Sequence, residues 1–584
     1  MPKFLLGELC ILSAATFVSI MFVRTKRTPN SPKTAIQLVE TIRTGKSIRQ
    51  KLVRHFGFAI NDEEVDALKK LALLYKSDLE AKTLPKLFSR DNLVSLIETQ
   101  SNKAIEDDRP LPVNLRDIKE EQRICIGIHQ CYGKIFDRIG FGTAISNPVR
   151  RKASVQMLRD MVMARIVKPA SKRSSVEMLE REYGLTLDVN AVYRMMDFLD
   201  DEAIKRVKLH SYQYTKSLLD EKVDIIFYDC TTLYFESFIE DDLKQNGYSK
   251  DGKFNQSQVL LAIMVTSYGL PIGYELYEGS KFEGHTLDDA LTQLHKQYKI
   301  DRIIFVADAA LLSTENIGRF AERKQPFIVG ARIKNLAKNI TRKILDKTAY
   351  QALGAQEDGH EEDVTYVDIP MEDGLRLIVT YSPGRASKDK HDREKAIESL
   401  RKRIEKSPNP TSLLNNFGYK KFVKIDGEAK LLTDDVKIAE AEKWDGLHGI
   451  VTNLTIEEST AKDLLHHYKG LWQVEETFRL GKHDLQMRPI FHWTEKRIKA
   501  HVAICYMALC SIRAMEYLVR FQYKKLSPAA IRNELMRLET SILKDYKTGN
   551  QYALPSKASQ YAKKIYQIMG LKWNDTPYLL KGKI

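Results

Sequence analysis

Glu475 sits in the stretch YKGLWQVEETFRLGK, residues 468–482, at a place where a carboxylate is expensive. On a helix turning about 100° per residue, Leu464, Tyr468, Leu471, Glu475, Phe478 and Lys482 share one stripe, the expected buried face. An ionised carboxylate there requires a cation or a hydrogen-bond donor. Glu476 is expected to point away into solvent. Alone, a Glu475–Lys482 pair would account for the pattern. Two other segments change that reading, because each is a short apolar run ending in an aspartate: VDIIFYDCTT carries Asp229 and DRIIFVADAA carries Asp308. Runs of this kind suit strands buried on both faces, and if they lie parallel and adjacent their aspartates meet at one sheet edge. Glu475 then completes a cluster of three carboxylates. Oxygen-only ligands of that charge suit hard divalent ions, so Mg²⁺ or Mn²⁺ is the expected occupant.

The elements that position these residues follow from the pattern around them. After the Asp229 strand, QVLLAIMVTS and PIGYELYEGS read as a hairpin through Tyr268-Gly269. A helix from Thr286 to about Tyr298, the Asp308 strand, a helix near 314–324 and the strand PFIVGA come next. This order is that of an RNase H-like domain, α/β in class. The interval from Asp308 to Glu475 is too long for a loop and implies an inserted domain. Short strands (DVTYVDIP, GLRLIVTYS, KKFVKID, LHGIVTNL) around a charged helix at 386–406 make that insertion β-rich.

At 584 residues the chain is too long for one compact core. A formal charge of +15 and a pI near 9.2 are the footprint of a polyanionic partner. The six cysteines form no C-x-x-C pair, which argues against a disulfide framework or zinc ribbon. Cys125, His129 and Cys131 are expected to pack in a helical core.

Counted from Tyr468, Glu475 is seven residues on and Lys482 fourteen. This resembles the Y-x-x-R-x-x-x-E-x-x-x-x-x-x-K signature of the IS-four-like group of DDE transposases of bacterial insertion sequences. The following LQMRPIFHWTEKRIKAHVAICYMAL is similar to that group too. Leu471 departs, standing where the family has an Arg linked to handling the cleaved DNA end. The resemblance implies a transposase that cuts double-stranded DNA at its element's ends and joins them to a target by two-metal phosphoryl transfer, as a homodimer in the synaptic complex. It implies Asp229 bridging two ions, with Asp308 and Glu475 each completing one. Tyr468 and Lys482 would hold the phosphate beside the scissile bond, and Arg479 would stand in for the missing Arg. In such an insertion an aromatic side chain can stack on an extruded base, for which Trp444 and His448 are the candidates. A related nuclease without strand transfer would share the whole site, and a non-catalytic sequence-specific DNA-binding protein would explain the charge but not the carboxylates.

The expected organisation is an apolar extension over 1–20, a basic β-meander plus helix over 21–100 and a helical candidate DNA-binding region over 117–220. The RNase H-like core follows over 222–332 and 459–525, split by the insertion over 333–458, and C-terminal helices close the chain over 526–584. Residues 1–20 read as a span-length apolar segment broken by Glu8. Because Met21 begins text similar to the family's start, they are expected to be an upstream, lone helix rather than a functional anchor, and the protein to act on DNA in the cytoplasm. Within 117–220, helices are expected at 117–139 and 151–167. SSVEMLEREYGLTLDVNAVYRMMDFL then reads as helix, Gly184 turn and helix, with Tyr193 and Arg194 on the second helix and Lys172 and Arg173 among the basic flanks. The apolar run HVAICYMALCSI is too short to span a bilayer and should pack on the catalytic domain.

Overall fold

The computed structural model describes residues 113–580, apart from 221, 249–251, 253–254, 299–302, 355–362, 407–422 and 427–429. Within 19–112 it describes mainly the strands at 19–27, 34–44 and 47–59. The chain divides into two compact units, 1–96 with 582–584, and 97–581.

The first unit is an antiparallel meander of β1 (Ser19–Arg27), β2 (Thr34–Thr44) and β3 (Ser47–Ala59), in the order β1-β2-β3. Ile36, Leu38 and Val39 are buried, while Arg24 reaches across to Gln37 at 2.8 Å and Gln50 at 3.0 Å. β1 does not begin at Met21: Ser19 pairs with Ile42 and Ile20 with Thr41, so the lone helix expected over 1–20 fails at its last two residues. The rest of that expectation, 1–18, lies outside the described residues.

The second unit opens with β4 (Ile118–Cys125), which corrects the helix expected from residue 117. Its partner is β16 (Glu539–Asp545), and with β17 (Gln551–Pro555) and β18 (Tyr578–Leu580) they form a sheet ordered β18-β17-β16-β4. The C-terminal stretch expected to be helical holds two short helices, Pro528–Met536 and Gln560–Ile568, and in addition these three strands. IKEEQRIC carries too few apolar residues to announce a strand locally, and its ladder is closed by chain more than four hundred positions away.

Helices follow at α1 (Gly127–Ile139), α2 (Lys152–Val167), α3 (Lys172–Tyr183), α4 (Val189–Met196) and α5 (Asp201–Leu218). Between α3 and α4, Gly184 takes the left-handed conformation at φ 68°, as the expected turn requires. Cys131 and His129 are buried on α1, and the His129 imidazole lies 3.5 Å from the Asp160 carboxylate.

The large sheet runs in the order β10-β11-β12-β15-β9-β8-β5-β6-β7. Its strands are β5 (Ile225–Tyr234), β6 (Gln258–Thr266), β7 (Pro271–Glu278), β8 (Ile304–Ala307), β9 (Phe327–Ala331), β10 (Gln351–Ala352), β11 (Thr365–Pro370), β12 (Arg376–Tyr381) and β15 (Leu447–Thr452). β5, β8 and β9 are parallel, and the other neighbours pair antiparallel. Strands expected to belong to an insertion, β11, β12 and β15, thus extend the central sheet; β13 (Val423–Asp426) and β14 (Lys430–Thr433) pair separately.

Alternation divides the sheet's side chains between two cores. Tyr228, Phe305, Val329 and Leu377 pack with α6 (Leu287–Thr292), α7 (Thr314–Glu322) and α8 (Lys338–Leu345). Phe227, Val306, Ile328 and Ile450 pack on the opposite face, against the chain that carries the signature. α9 (Pro383–Lys406) and α10 (Asp435–Glu442) lie between β12 and β15 in sequence. The signature itself is two helices, α11 (Ala461–Lys469) against β8 and β9, and α12 (Trp472–Arg479) against β5 and β6. α13 (Glu495–Gln522) is the one described helix long and apolar enough to cross a membrane, but 89% of its apolar window is buried in this unit, as expected for HVAICYMALCSI.

The break between α11 and α12 has a clear cause. Gly470 and Leu471 donate to the carbonyls three residues back, His467 and Tyr468, so the helix tightens there. A Cβ on Gly470 would stand 2.4 Å from Phe227 Cζ, and only glycine lets the turn approach β5 this closely. Gly470→Ala is expected to lower the melting temperature, at a cost of about 1–3 kcal/mol for overpacking. Shortening the ring in Gly470→Ala/Phe227→Leu should restore part of that loss, read by thermal denaturation of the two singles and the double.

Candidate active site

β5 and β8 set two aspartates side by side, Asp308 just past the end of β8 as expected and Asp229 midway along β5, which does not end there. In their parallel register Tyr228 pairs with Ala307, so Asp229 and Asp308 occupy the next rung on strands roughly 4.8 Å apart. Asp229 is half-buried and accepts from the Cys230 N–H at 2.7 Å. Asp308 is exposed and accepts from the Ala309 N–H at 2.6 Å, capping the short turn that ends its strand. Both belong to the sheet face of Phe227 and Val306, the face that α11 and α12 cover.

Glu475 is exposed, not buried in an apolar seam, and Glu476 is the half-buried neighbour. The expected phase assumed one continuous helix; the tightened turn at Gly470-Leu471 shifts the phase after it. Phe478 is buried as expected, but Gln473, Val474 and Thr477 complete the buried face in place of Glu475. Glu476 accepts from Arg513 at 3.5 Å and from Arg479 at 3.2 Å, and Arg513, only 3% exposed, also donates to Glu516 and Thr477. Arg479 is thereby engaged with Glu476 while remaining exposed. Leu471 is half-buried against the core. Past Arg479 the helix widens into a π turn, Leu480–Asp484, which holds a half-buried Lys482.

Tyr468 joins the two halves of the site. A Cβ on Gly330 would lie 2.6 Å from the Tyr468 hydroxyl and 3.0 Å from the Ala309 nitrogen, so the phenol reaches the residue next to Asp308 because β9 has glycine there. Burial, then the negative charges of Asp308 and Glu475, push its pKa up to about 12, while Arg385 pulls the other way. The phenol therefore keeps its proton at neutral pH as a hydrogen-bond donor. His448, on β15, stacks obliquely against Tyr468 with ring centroids 5.4 Å apart. It is a wall of this site. Burial, then Arg385, hold its pKa down to about 4 against the opposing pull of Asp308, so the imidazole is neutral at neutral pH. Trp444, in the turn before β15, is half-buried against the other core with Lys334 5.9 Å from its ring.

Arg385, on the first turn of α9, escaped sequence reasoning. It is one of many charges in a very charged helix, and only the docking of β15 beside α11 brings it into the field of Tyr468 and His448. A cavity of about 880 Å³ on the same sheet face was equally illegible; Phe227, Lys462, Asp463, His466, Lys469 and Arg520 line it together with the half-exposed Trp472.

The donor set tests the expectation of a metal. Two carboxylates on neighbouring strands supply the oxygen ligands that Mg²⁺ or Mn²⁺ prefers. Among the described residues no three His, Cys, Asp or Glu side chains stand close enough to hold one ion, so Glu475 is not drawn into a common shell with the aspartates. Tyr468 is the group that feels both Asp308 and Glu475.

Residues 221–511 match the family model of the transposase DDE domain, an interval that contains Asp229, Asp308, Tyr468, Glu475 and Lys482. No curated protein matches the chain. Among solved structures, the chain is similar to a piggyBac transposase synaptic complex with hairpin DNA, at 10% identity and a TM-score of 0.33, covering 77% of this chain and 78% of that one. It is also similar to a Mos1 transposase paired-end complex with left transposon end, at 13% identity and a TM-score of 0.14, covering 27% of this chain and 53% of that one. Likenesses this distant fix neither fold nor activity.

The charge arrangement has a measurable consequence. His448 titrates below its ordinary 6.5, so it contributes stability above that value and loses it as pH falls through about 4. Arg385→Met removes one of the causes and should raise the His448 pKa from about 4 toward 6.5, followed by NMR titration of labelled histidines against a His448→Gln assignment control. The acid-induced loss of stability in that window should shrink accordingly.

Proposed function

We propose that the protein is a DNA transposase, of the insertion-sequence kind that the 468–482 signature resembles, and that it cleaves its element's ends and joins them to target DNA. The observation that carries this reading is Asp229 and Asp308 side by side on parallel strands, coupled through Tyr468 to the helix that bears Glu475, all inside a segment matching the transposase DDE domain. The order of strands and helices around the aspartates favours an RNase H-like catalytic domain, with 333–458 as its insertion.

In this reading Asp229, Asp308 and Glu475 would be the residues that hold two divalent ions, Mg²⁺ or Mn²⁺. When bound, such ions stabilise charge on the entering and leaving oxygens of an in-line phosphoryl transfer. The chain's own groups do the rest. Tyr468 donates its hydroxyl proton to a phosphate oxygen beside the scissile bond, and Lys482 neutralises the same phosphate. His448, neutral and packed on Tyr468, holds the phenol in place. Arg385 brings the cation that Leu471 cannot supply. No covalent link to DNA is involved, so no nucleophilic side chain is assigned. Element ends and target are double-stranded DNA, two copies of the chain would pair the ends, and the site of action would be the nucleoid in the cytoplasm.

Incubation of purified protein with labelled terminal sequences and Mg²⁺ tests this directly. Cleaved and joined products are expected, whereas cleavage without joining would reduce the protein to a nuclease. Asp229→Asn, Asp308→Asn or Glu475→Gln should each lower cleavage by at least about 10²–10³-fold, as for loss of a group that stabilises charge in the transition state. DNA binding should survive, because backbone contacts lie elsewhere. Glu476→Gln should leave cleavage near the parent's and lower the melting temperature by stripping Arg513 of a partner. The reverse ranking of 475 and 476 would overturn the assignment of Glu475.

A further inference from the structure

The segment that follows the signature helix closes over a group of cations that the proposed reaction leaves unused. A cavity of about 100 Å³ is walled by Arg165 of α2, Lys172 at the first turn of α3, Arg488, His492 and His501, and among the described residues no Asp or Glu lines it. Lys172 was expected to be an exposed basic flank for DNA, yet it is only 3% exposed; Arg165 is 4% and His501 5% exposed.

The hydrogen bonds set the direction of these groups. His501 Nε2 lies 3.2 Å from the Met487 carbonyl, which fixes the proton on that nitrogen and leaves Nδ1 as an acceptor. Lys172 Nζ donates to Nδ1 at 3.1 Å. An ammonium has three donors, and this bond uses one. Arg165 spends donors on the Ala170 carbonyl at 2.8 Å and the Leu485 carbonyl at 3.3 Å, so among the described residues it meets neutral oxygens and no carboxylate. Two buried cations side by side without an acid are costly to bury and gain strongly from an anion. The cost is visible in Lys172, whose pKa burial and then the Arg165 charge hold down to about 7, and in His492, held down to about 3 by burial and then Lys172. The start of α3, at Ala170 to Lys172, faces the same space and adds the positive end of a twelve-residue helix.

The place of the pocket names its occupant. Its mouth residue Arg488 lies over the Tyr234 ring at 5.3 Å, and Ile490 donates to the Tyr234 carbonyl at 3.1 Å, so the pocket's wall is fastened to the far end of the strand that carries Asp229. Five residues of strand span about 17 Å at ~3.3 Å each, or about five base steps at ~3.4 Å per step of duplex. We infer that this pocket receives one backbone phosphate of the DNA strand engaged at the active site, about five or more nucleotides from the scissile phosphate, an assignment that rests on the transposase reading above.

The test uses the full chain, the variants Lys172→Met and Arg488→Gln, and two probes: inorganic phosphate, and a duplex carrying the terminal sequence that flanks the protein's own reading frame. Phosphate should raise the melting temperature of the parent and not of Lys172→Met, which keeps the aliphatic stem and needs no buried charge. With the duplex, each variant should lower the slope of log affinity against log salt by about 0.9, the value of one lost phosphate contact. A neutral methylphosphonate scanned along either strand should weaken parent binding about tenfold at one position in the expected range and leave Lys172→Met indifferent there. Should Lys172→Met lose the phosphate response but keep both the parent's salt slope and its methylphosphonate profile, the pocket takes free phosphate and the DNA assignment is overturned. An unchanged phosphate response in Lys172→Met overturns the pocket itself. If the parent is stabilised by phosphate through Lys172 but binds no duplex at all, the transposase reading has failed and the occupant falls with it, while the anion pocket stands.

Discussion

Contact between Gly470 and Phe227 governs the geometry of the site. A side chain on residue 470 would enter the Phe227 ring, so the backbone itself rests on the strand that carries Asp229. That approach tightens the helix into two pieces. The first presents Tyr468 to Gly330 and Ala309, beside Asp308, and the second rolls Glu475 outward while turning Glu476 toward Arg513. Packing, capping and electrostatics in the site all follow from one place where a ring and a backbone leave no room for a methyl group.

Charge is distributed with similar economy. The surplus that marks the chain as a partner for a polyanion is partly tied up internally: Arg497 pairs with Asp197, Lys499 with Asp201 and Glu495, and Arg513 with Glu476 and Glu516. Arg385 acts through the field it adds beside Tyr468 and His448. Arg165 and Lys172 are buried where, among the described residues, no carboxylate lines the cavity, which sets them apart from the paired cations. Counting basic residues indicated a polyanion, but the pattern of neutralisation says which of them are available to meet one.

The central sheet explains why residues from distant segments converge. Parallel β5 and β8 set the two aspartates on one rung, and β9 beside them supplies the glycine that admits Tyr468. β15 returns after the long excursion through α9 and α10 to place His448 against the same phenol. The excursion extends the sheet and also closes one side of the site.

The short apolar runs before Asp229 and Asp308 were legible from sequence because burial on both faces forces near-continuous apolar stretches, but only β8 ends at its aspartate; β5 continues past Asp229 to Tyr234, held by its ladder with β6. The strand end at Asp308 needed nothing further, nor did the meander from Met21 on, the Gly184 turn or the buried α13, all of which rest on local periodicity and turn chemistry. The facing of Glu475 and Glu476 was not legible, since a pattern at 3.6 residues per turn holds only while the helix is continuous, and the break at Gly470 is dictated by Phe227, more than two hundred positions earlier. Likewise β4 and β16 look unremarkable until each supplies the other's hydrogen bonds, and Arg385, His448 and Lys172 owe their surroundings to segments far away in sequence. The sequence by itself determined which residues carry charge and which elements carry them; tertiary structure decided which charges face one another, because burial and approach distance are properties of pairs that the chain order does not contain.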